Sequence, residues 1–271
     1  MSANNNNDDR DPFYIGYLPR QPAAVARRTR LAVVIALALA LVTAAAVALL
    51  QRPFKAAVFE FGVVRSFEGT VRLTPHPTLE VPRPGGGVSR YFLVSPFKFG
   101  AEPHLTAVDG QRVRLDGSLI YRDDQTMIEL LPDTVQALGD GAAPPAARPV
   151  SFGRHALVGE IIDSKCYLGV MQPGHGTVHR ACAVRCIAGG IPPVFVLRPR
   201  AGAADNAGAN FDRPIAYLML VDADGEPVND RVLDVVAEPV SIEGEVLRVD
   251  DQWLLRADPS TIRRLTEPPS A

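Results

Sequence analysis

All three cysteines of the 271-residue chain lie in one short segment that begins at Cys166 and ends at Cys186. The same segment contains His179, and thiolates and imidazoles are strong ligands for zinc and copper. The sequence predicts a helix that begins at Thr177, as its N-cap, and ends before a pair of glycines. On that helix His179, Cys182 and Cys186 follow at i, i+3 and i+7, so they share one face.

A metal site is the first interpretation of this segment. Cys166 lies at the end of a predicted strand and is close enough in sequence to fold over the helix face. Met171 or His175 could supply an additional ligand, which would favour copper. The predicted cofactor is therefore zinc or copper, and the predicted ligands are Cys166, His179, Cys182 and Cys186.

Two other interpretations of the cysteines stay open. Cys166 could form a disulfide with Cys182 or Cys186, because the compartment argued below is oxidising, and one odd thiol would remain. Alternatively, the cysteines are small buried side chains without chemistry. Because all three cysteines lie in one segment, the interpretation without chemistry is disfavoured. Their odd number argues mildly against a purely structural disulfide.

The motifs of several familiar enzyme and binding classes are missing from the sequence. It contains no G-x-S-x-G motif, no P-loop, no C-x-x-C pair and no C-x-x-C-H haem motif. His175 and His179 have the spacing of a zinc-protease helix, but the glutamate that follows the first histidine is absent. The chain has 28 basic and 30 acidic residues, so no basic excess indicates nucleic acid. A non-catalytic protein is expected, with a thiol oxidoreductase using Cys182 and Cys186 as the enzyme alternative.

The spacing of residues in the cysteine segment also resembles that of segments in other proteins. Cys166-Tyr, followed by His179-x2-Cys182-Ala-x2-Cys186-x3-Gly-Ile-Pro, resembles a segment of uncharacterised bacterial exported proteins, which implies only that the spacing is a unit. The Cys182-x3-Cys186 pair is similar to that of membrane-anchored copper chaperones for cytochrome oxidase assembly. Those chaperones have a thioredoxin-like fold, which the strand pattern described below contradicts, so this second resemblance implies an analogy of function alone.

A long apolar run precedes the cysteine segment in the sequence. Residues 31–50 read LAVVIALALALVTAAAVALL, without a single charge. At 1.5 Å per residue a helix of this length spans about 30 Å, the thickness of the hydrocarbon core of a bilayer. Ala46-Val-Ala48 offers a signal-peptidase pattern, but the long preceding tail and the length of the run favour an uncleaved anchor.

Basic residues are distributed unevenly around this run. Four precede it (Arg20, Arg27, Arg28 and Arg30) and two follow it (Arg52 and Lys55). The positive-inside rule then places residues 1–30 in the cytoplasm as a tail, and the remainder in the periplasm or outside the cell. The predicted location is the inner membrane, with a single pass. Three aromatic residues within 11–19 indicate either contact with lipid headgroups or a segment that docks on a membrane partner.

The region after the anchor repeats itself. Val113–Ile128 aligns with Val240–Leu255 without a gap, so the offset between the copies is constant, and both read as strand, glycine bend, Asp-Asp-Gln turn and returning strand. Upstream, Phe67-Glu-Gly-Thr-Val71 resembles Leu157-Val-Gly-Glu-Ile161. Tyr91-Phe-Leu-Val94 resembles Tyr217-Leu-Met-Leu220 in the same way. The Asp-Asp turns are expected to be solvated.

The repeat predicts a mainly β chain with two related OB-like barrels or sheets, and a single continuous sandwich is the alternative. The first module is expected at 56–138, a linker at 139–153 and the second module at 154–266. The second copy is longer, and its additional residues include a helical Cys/His insertion at 163–193. Another part of that excess, 200–213, is rich in alanine, glycine and asparagine and reads as a mobile loop.

These elements together predict a membrane-anchored extracytoplasmic accessory protein of an envelope redox or respiratory system. Its expected partners are the lipid bilayer, through residues 31–50, and a membrane or periplasmic protein. Besides the thiol–disulfide oxidoreductase, the other open class is a purely structural OB-like interaction module.

Overall fold

The computed structural model describes residues 23–50, 57–139, 148–198 and 216–265. Several sequence predictions lie outside these residues. They are the aromatic segment 11–19 with most of the predicted cytoplasmic tail, the central part of the predicted linker, and the predicted mobile loop 200–213.

The N-terminal unit contains one apolar helix. Helix α1 (Ala23–Leu50) includes a stretch, Val25–Leu49, that is long and apolar enough to cross a membrane, as a membrane anchor or a signal sequence must be. The helix starts before the predicted membrane segment, because its first turns include Arg27, Arg28 and Arg30, and arginine is a good helix former. The absence of charge thus marks the apolar stretch and not the start of the helix.

The following residues form a β domain made of two barrels. The strands of barrel 1 are β1 (Ala57–Phe59), β2 (Arg65–Arg72), β3 (Thr78–Pro82), β4 (Val88–Val94), β5 (Arg112–Arg122), β6 (Gln125–Leu130) and β7 (Gln136–Ala137). The barrel closes in the order β2-β3-β4-β6-β5-β2, and every one of these pairs is antiparallel except β4 with β6. A short helix α2 (Glu102–Leu105) stands between β4 and β5.

Barrel 2 repeats this architecture. Its strands are β8 (Val150–Asp163), β9 (Pro193–Leu197), β10 (Ala216–Val221), β11 (Pro239–Val249), β12 (Gln252–Ala257) and β13 (Arg263–Arg264). The closure β8-β9-β10-β12-β11-β8 has the same single parallel pair, β10 with β12. The prediction of a mainly β chain with two OB-like barrels is therefore confirmed.

The constant offset that aligns Val113 with Val240 holds along whole strands. Shifted by this offset, β5 coincides with β11, β6 with β12 and β7 with β13. The predicted match of Tyr91 with Tyr217 is wrong by one position. Leu93 pairs with Ile128, and Leu220 pairs with Leu255, so Leu93 and Leu220 are the equivalent residues. The hydrogen-bond register of the strands places the buried side chains at equivalent positions, whereas the sequence comparison had aligned the two tyrosines.

One glycine in the first strand of each barrel allows a close approach of the backbone. A Cβ atom on Gly69 would lie 2.5 Å from the carbonyl oxygen of Glu80, and one on Gly159 would lie 2.2 Å from that of Val196. Gly69 faces Val113, and Gly159 faces Val240, at the same register of the two barrels. The strands can bend and close only where no side chain intervenes.

The two barrels share one hydrophobic core, and equivalent positions of each contribute to it. The matched pairs, all related by the same offset, are Phe92 and Met219, Val94 and Val221, Ile120 and Leu247, and Met127 and Leu254. Each barrel also has a core of its own. The β domain therefore resembles a dimer whose two halves meet through the same face.

The two Asp-Asp turns have the same backbone but different surroundings. Asp123 and Asp250 both have a φ of 53°, which aspartate tolerates in a tight turn. The carboxylate of Asp250 accepts a hydrogen bond from Arg90 Nε at 3.0 Å, in an ion pair between the barrels. The prediction of solvated turns is thus wrong for Asp250, because the barrel interface supplies a cation that the local sequence does not reveal.

Candidate metal centre

The cysteine segment fills the connection between the first two strands of barrel 2. In barrel 1 this connection consists of residues 73–77, whereas in barrel 2 it comprises residues 164–192. It contains a wide helical turn (Cys166–Val170), a single tight turn (Thr177–His179) and helix α3 (Arg180–Ala188). The predicted helix is present, but it begins at Arg180, after the tight turn that contains Thr177, and its N-cap residue is His179.

The insertion is held between the barrels by close backbone contacts. The Gly100 N–H donates to the carbonyl oxygen of Gly189 at 2.8 Å. A Cβ atom on Gly189 would lie 1.9 Å from the Lys98 carbonyl oxygen, and one on Gly169 would lie 2.5 Å from that of Val58. Side chains at these glycines would force the insertion away from barrel 1, so its position is closely defined.

Each of the four predicted ligands belongs to one of two overlapping groups of donors, which share Cys166. The ligand atoms of Cys166, His179 and Cys182 lie within 4.8 Å of one another, and those of Asp163, Cys166 and Cys186 form a second such group. Cys166, Cys186 and His179 are buried, and Cys182 is half-buried. These Cys/His groups could hold a metal ion.

The sulfur distances distinguish two of the interpretations from the sequence. Cys166 Sγ and Cys182 Sγ are 4.0 Å apart, and all three cysteines are free thiols. A disulfide needs about 2.05 Å between its sulfurs. Two thiolates about 2.3 Å from one tetrahedral ion lie about 3.8 Å apart, which follows from the bond length and the tetrahedral angle. The observed separation is that of two free thiols in hydrogen-bond contact, and it is also close to the spacing of two thiolates on one ion.

Asp163 orients the histidine, and the sequence prediction did not include it. Its Oδ2 lies 2.9 Å from His179 Nε2, and its Oδ1 accepts a hydrogen bond from the Cys166 N–H at 2.8 Å. Carboxylates commonly fix metal-binding imidazoles in this way, leaving the other ring nitrogen for the ion. The available signal was an acidic residue, fully buried here, at the end of the strand that leads into Cys166.

Lys98 brings a positive charge to the thiols from barrel 1. Its Nζ lies 2.7 Å from Cys182 Sγ and 3.7 Å from Cys186 Sγ. The hydrogen bond to Cys182 raises the pKa of Lys98, so the ammonium form is favoured. No local pattern could identify this residue, because it precedes Cys182 by 84 positions and belongs to the other barrel.

The buried thiols differ in their ionisation. The hydrogen bond with Cys166, followed by the charge of Lys98, lowers the pKa of Cys186. The same hydrogen bond, together with burial, raises the pKa of Cys166. Cys186 is therefore the more readily ionised of the two thiols, and a bound cation would favour ionisation of both.

A second lysine secures the loop that carries Lys98. Lys165 is 1% exposed, and its Nζ donates to the carbonyl oxygens of Ser95 at 2.7 Å and Phe97 at 2.8 Å. Glu129 completes the set with an ion pair at 2.5 Å. The ammonium group is satisfied on several sides, so the insertion and the loop of barrel 1 are joined by a buried polar contact.

Of the two additional ligands suggested by the sequence, His175 lies outside the groups of converging donors. Its ring packs edge-on against Tyr167, with 6.3 Å between centroids. Met171 is 44% exposed.

Comparisons with known proteins found no similar protein. No family model matches the chain, and no curated protein and no solved structure is significantly similar to it.

Proposed function

We propose that this chain is a membrane-anchored accessory protein whose β domain holds one zinc or copper ion at Cys166, His179, Cys182 and Cys186. The observation that carries the proposal is the presence of two overlapping groups of donors that share Cys166, one completed by His179 and Cys182 and the other by Asp163 and Cys186, each within 4.8 Å. The 4.0 Å separation of two of the sulfurs supports the same conclusion.

Charge supports the proposal as well. If all three thiols ionised on metal binding, they and the Asp163 carboxylate would carry four negative charges in a mostly buried cluster, with the ammonium of Lys98 in contact with two of the thiols. Several unbalanced charges in a protein interior are costly. A thiophilic cation compensates this charge and satisfies thiolates and imidazole at once.

The position of the centre indicates what the ion would do. It would connect β8 to α3, and Lys98 of barrel 1 touches two of its ligands. Occupancy would therefore stabilise the contact between the barrels. A single apolar helix and an OB-like pair suit a protein that presents or delivers its ion to a membrane or periplasmic partner of a redox system.

A thiol–disulfide oxidoreductase is the second candidate, and the contact between Lys98 and Cys182 favours it. The half-buried Cys182 thiolate would attack a substrate disulfide and release one substrate thiolate. The Cys186 thiolate, whose pKa is lowered, would then attack the Cys182 sulfur of the mixed disulfide and release the second. The substrate is reduced to two thiols, and the protein is left with one disulfide.

Metal analysis of the full-length protein separates these functions. In detergent, the wild type is expected to contain about one zinc or copper ion per chain, and Cys182→Ser and His179→Gln to lose it. His175→Gln is the matched control, because this nearby histidine lies outside the converging donors, and it should retain the ion. A metal-free wild type in which two thiols react only after reduction would contradict the proposal and favour the redox function.

A further inference from the structure

A second site lies next to the metal centre, in a cavity of about 560 Å³ between the two barrels. We call it the Arg122 cavity. Its walls include apolar side chains of barrel 2 and the only tryptophan of the chain, Trp253. Arg122 and the adjacent Asp123-Asp124 turn approach from barrel 1.

Arg122 is an arginine without a charge partner in the part of the chain that the structure describes. The residue is 6% exposed, and its Nε has no hydrogen-bond acceptor. Its contact is with an aromatic ring, since the guanidinium carbon lies 4.2 Å from the centroid of Tyr167. A buried guanidinium without a counter-ion is costly, so proteins rarely retain one without a use for it.

Two tyrosines line the same cavity. Tyr167 and Tyr217 are stacked with 6.0 Å between centroids, and both hydroxyls are buried without a hydrogen bond to any described residue. Burial raises the pKa of each, so both hydroxyls stay protonated and can donate. Both rings and Arg122 line the cavity, whereas the two hydroxyl oxygens are buried away from its surface.

The repeat shows that the fold does not require this arrangement. The position equivalent to Arg122 in barrel 2 is Val249, which packs on the shared core. The position equivalent to Tyr217 in barrel 1 is Arg90, whose ion pair with Asp250 fills the corresponding contact. A salt bridge closes one side of the interface, whereas the other side has a cavity with an unpaired arginine.

We infer that the Arg122 cavity binds a small organic carboxylate with an apolar ring. The guanidinium would hold the carboxylate, and the ring would pack against the two tyrosine rings, Trp253 and the aliphatic walls. The carboxylates of Asp123 and Asp124 also line the cavity and would repel a doubly charged ligand such as a phosphate monoester. This inference is independent of the metal centre.

Fluorescence of the single tryptophan provides the test on the full-length protein in detergent. Benzoate is the probe, and benzamide, which has nearly the same shape without the charge, is the control ligand. The wild type should bind benzoate at least about tenfold more tightly than benzamide, as expected for a charge-assisted hydrogen bond. Phenyl phosphate should bind more weakly than benzoate.

Variants localise the effect. Arg122→Gln should remove the preference for benzoate, and Arg122→Lys should restore only part of it, since lysine lacks the planar fork. Arg248→Gln is the matched control, because Arg248 also lies beside Trp253, at 5.6 Å, but does not line the cavity; it should keep the preference.

The inference would be overturned if the wild type bound benzoate no better than benzamide, or if Arg122→Gln kept the full preference. Tighter binding of phenyl phosphate than of benzoate would overturn the class of ligand. The first comparison uses the wild type alone, so it holds even if a variant fails to fold.

Discussion

The two barrels of the β domain have the same strands, the same closure and the same interface positions, yet only barrel 2 carries a cluster of thiols. The difference lies in the connection between the first two strands, which is residues 73–77 in barrel 1 and residues 164–192 in barrel 2. The two barrels have equivalent ladders, and the thiols lie in the longer connection of barrel 2. Sites grafted on a fold in this way leave its architecture unchanged.

The two connections differ in polarity as well as in length. In barrel 1 the short connection buries one ionisable group, His76, whose Nε2 has no hydrogen-bond partner among the described residues. In barrel 2 the long connection buries several groups that contact one another. One connection therefore keeps its histidine neutral, and the other surrounds its histidine with a carboxylate and thiols.

Removal of metal should give the largest effect on this comparison. If the ion binds only the folded state, with free metal about a thousandfold above its dissociation constant, it stabilises the protein by about 4 kcal/mol. A chelator should therefore lower the melting temperature of the wild type and of His175→Gln, but leave Cys182→Ser unchanged. Differential scanning fluorimetry measures this. An equal response of the wild type and Cys182→Ser to the chelator would contradict a centre in barrel 2.

Lowering the pH should destabilise the folded protein through His76, the buried histidine of barrel 1. Burial lowers the pKa of His76 to about 4, from an ordinary value of 6.5. The unfolded chain therefore binds a proton between these pH values while the folded chain does not. Stability should fall by about 3 kcal/mol as the pH decreases from 6.5 to 4, and the loss should stop below 4.

Chemical denaturation at several pH values measures this loss. The background should be Cys182→Ser, where loss of metal adds no pH dependence, and His76→Gln should abolish most of the slope in that background. A slope that is the same with and without His76 would assign the acid sensitivity to other groups and remove this difference between the connections.

The smallest expected effect is a difference in stability between variants of the two Asp-Asp turns. Asp250→Ala should cost about 1–2 kcal/mol, because it removes a partly buried hydrogen bond and ion pair with Arg90. Asp124→Ala, at an exposed position of the equivalent turn, should change stability by less than about 0.5 kcal/mol. Urea denaturation of both variants gives the two values. Equal losses would mean that the turns contribute alike, despite their different contacts.

Local pattern was sufficient for much of the architecture. The hairpins of β5 with β6 and of β11 with β12 follow from alternation around a two-residue turn, and the constant offset between the copies extended the prediction to whole barrels. Helical periodicity also predicted the helix that carries Cys182 and Cys186, because four-residue spacings are determined by the helix itself.

What the sequence could not provide depends on the docking of one barrel on the other. Lys98 reaches the thiols, Lys165 joins the insertion to barrel 1, and Arg90 pairs with Asp250, each across a long separation in sequence. No local periodicity encodes such contacts. Arg122 could have been identified from the sequence, because one repeat has an arginine where the other repeat has a valine.

The shared core, in which equivalent residues of both barrels meet, also bears on the ancestry of the chain. A single ancestral barrel would pair with a second copy through this face, as homodimers do. In such a homodimer any insertion would occur twice, and both copies would compete for the same space beside the two-fold axis. Fusion of two copies into one polypeptide removes that constraint, because one half can then vary alone. An asymmetric centre at a symmetric interface is the outcome expected of a duplicated and fused gene.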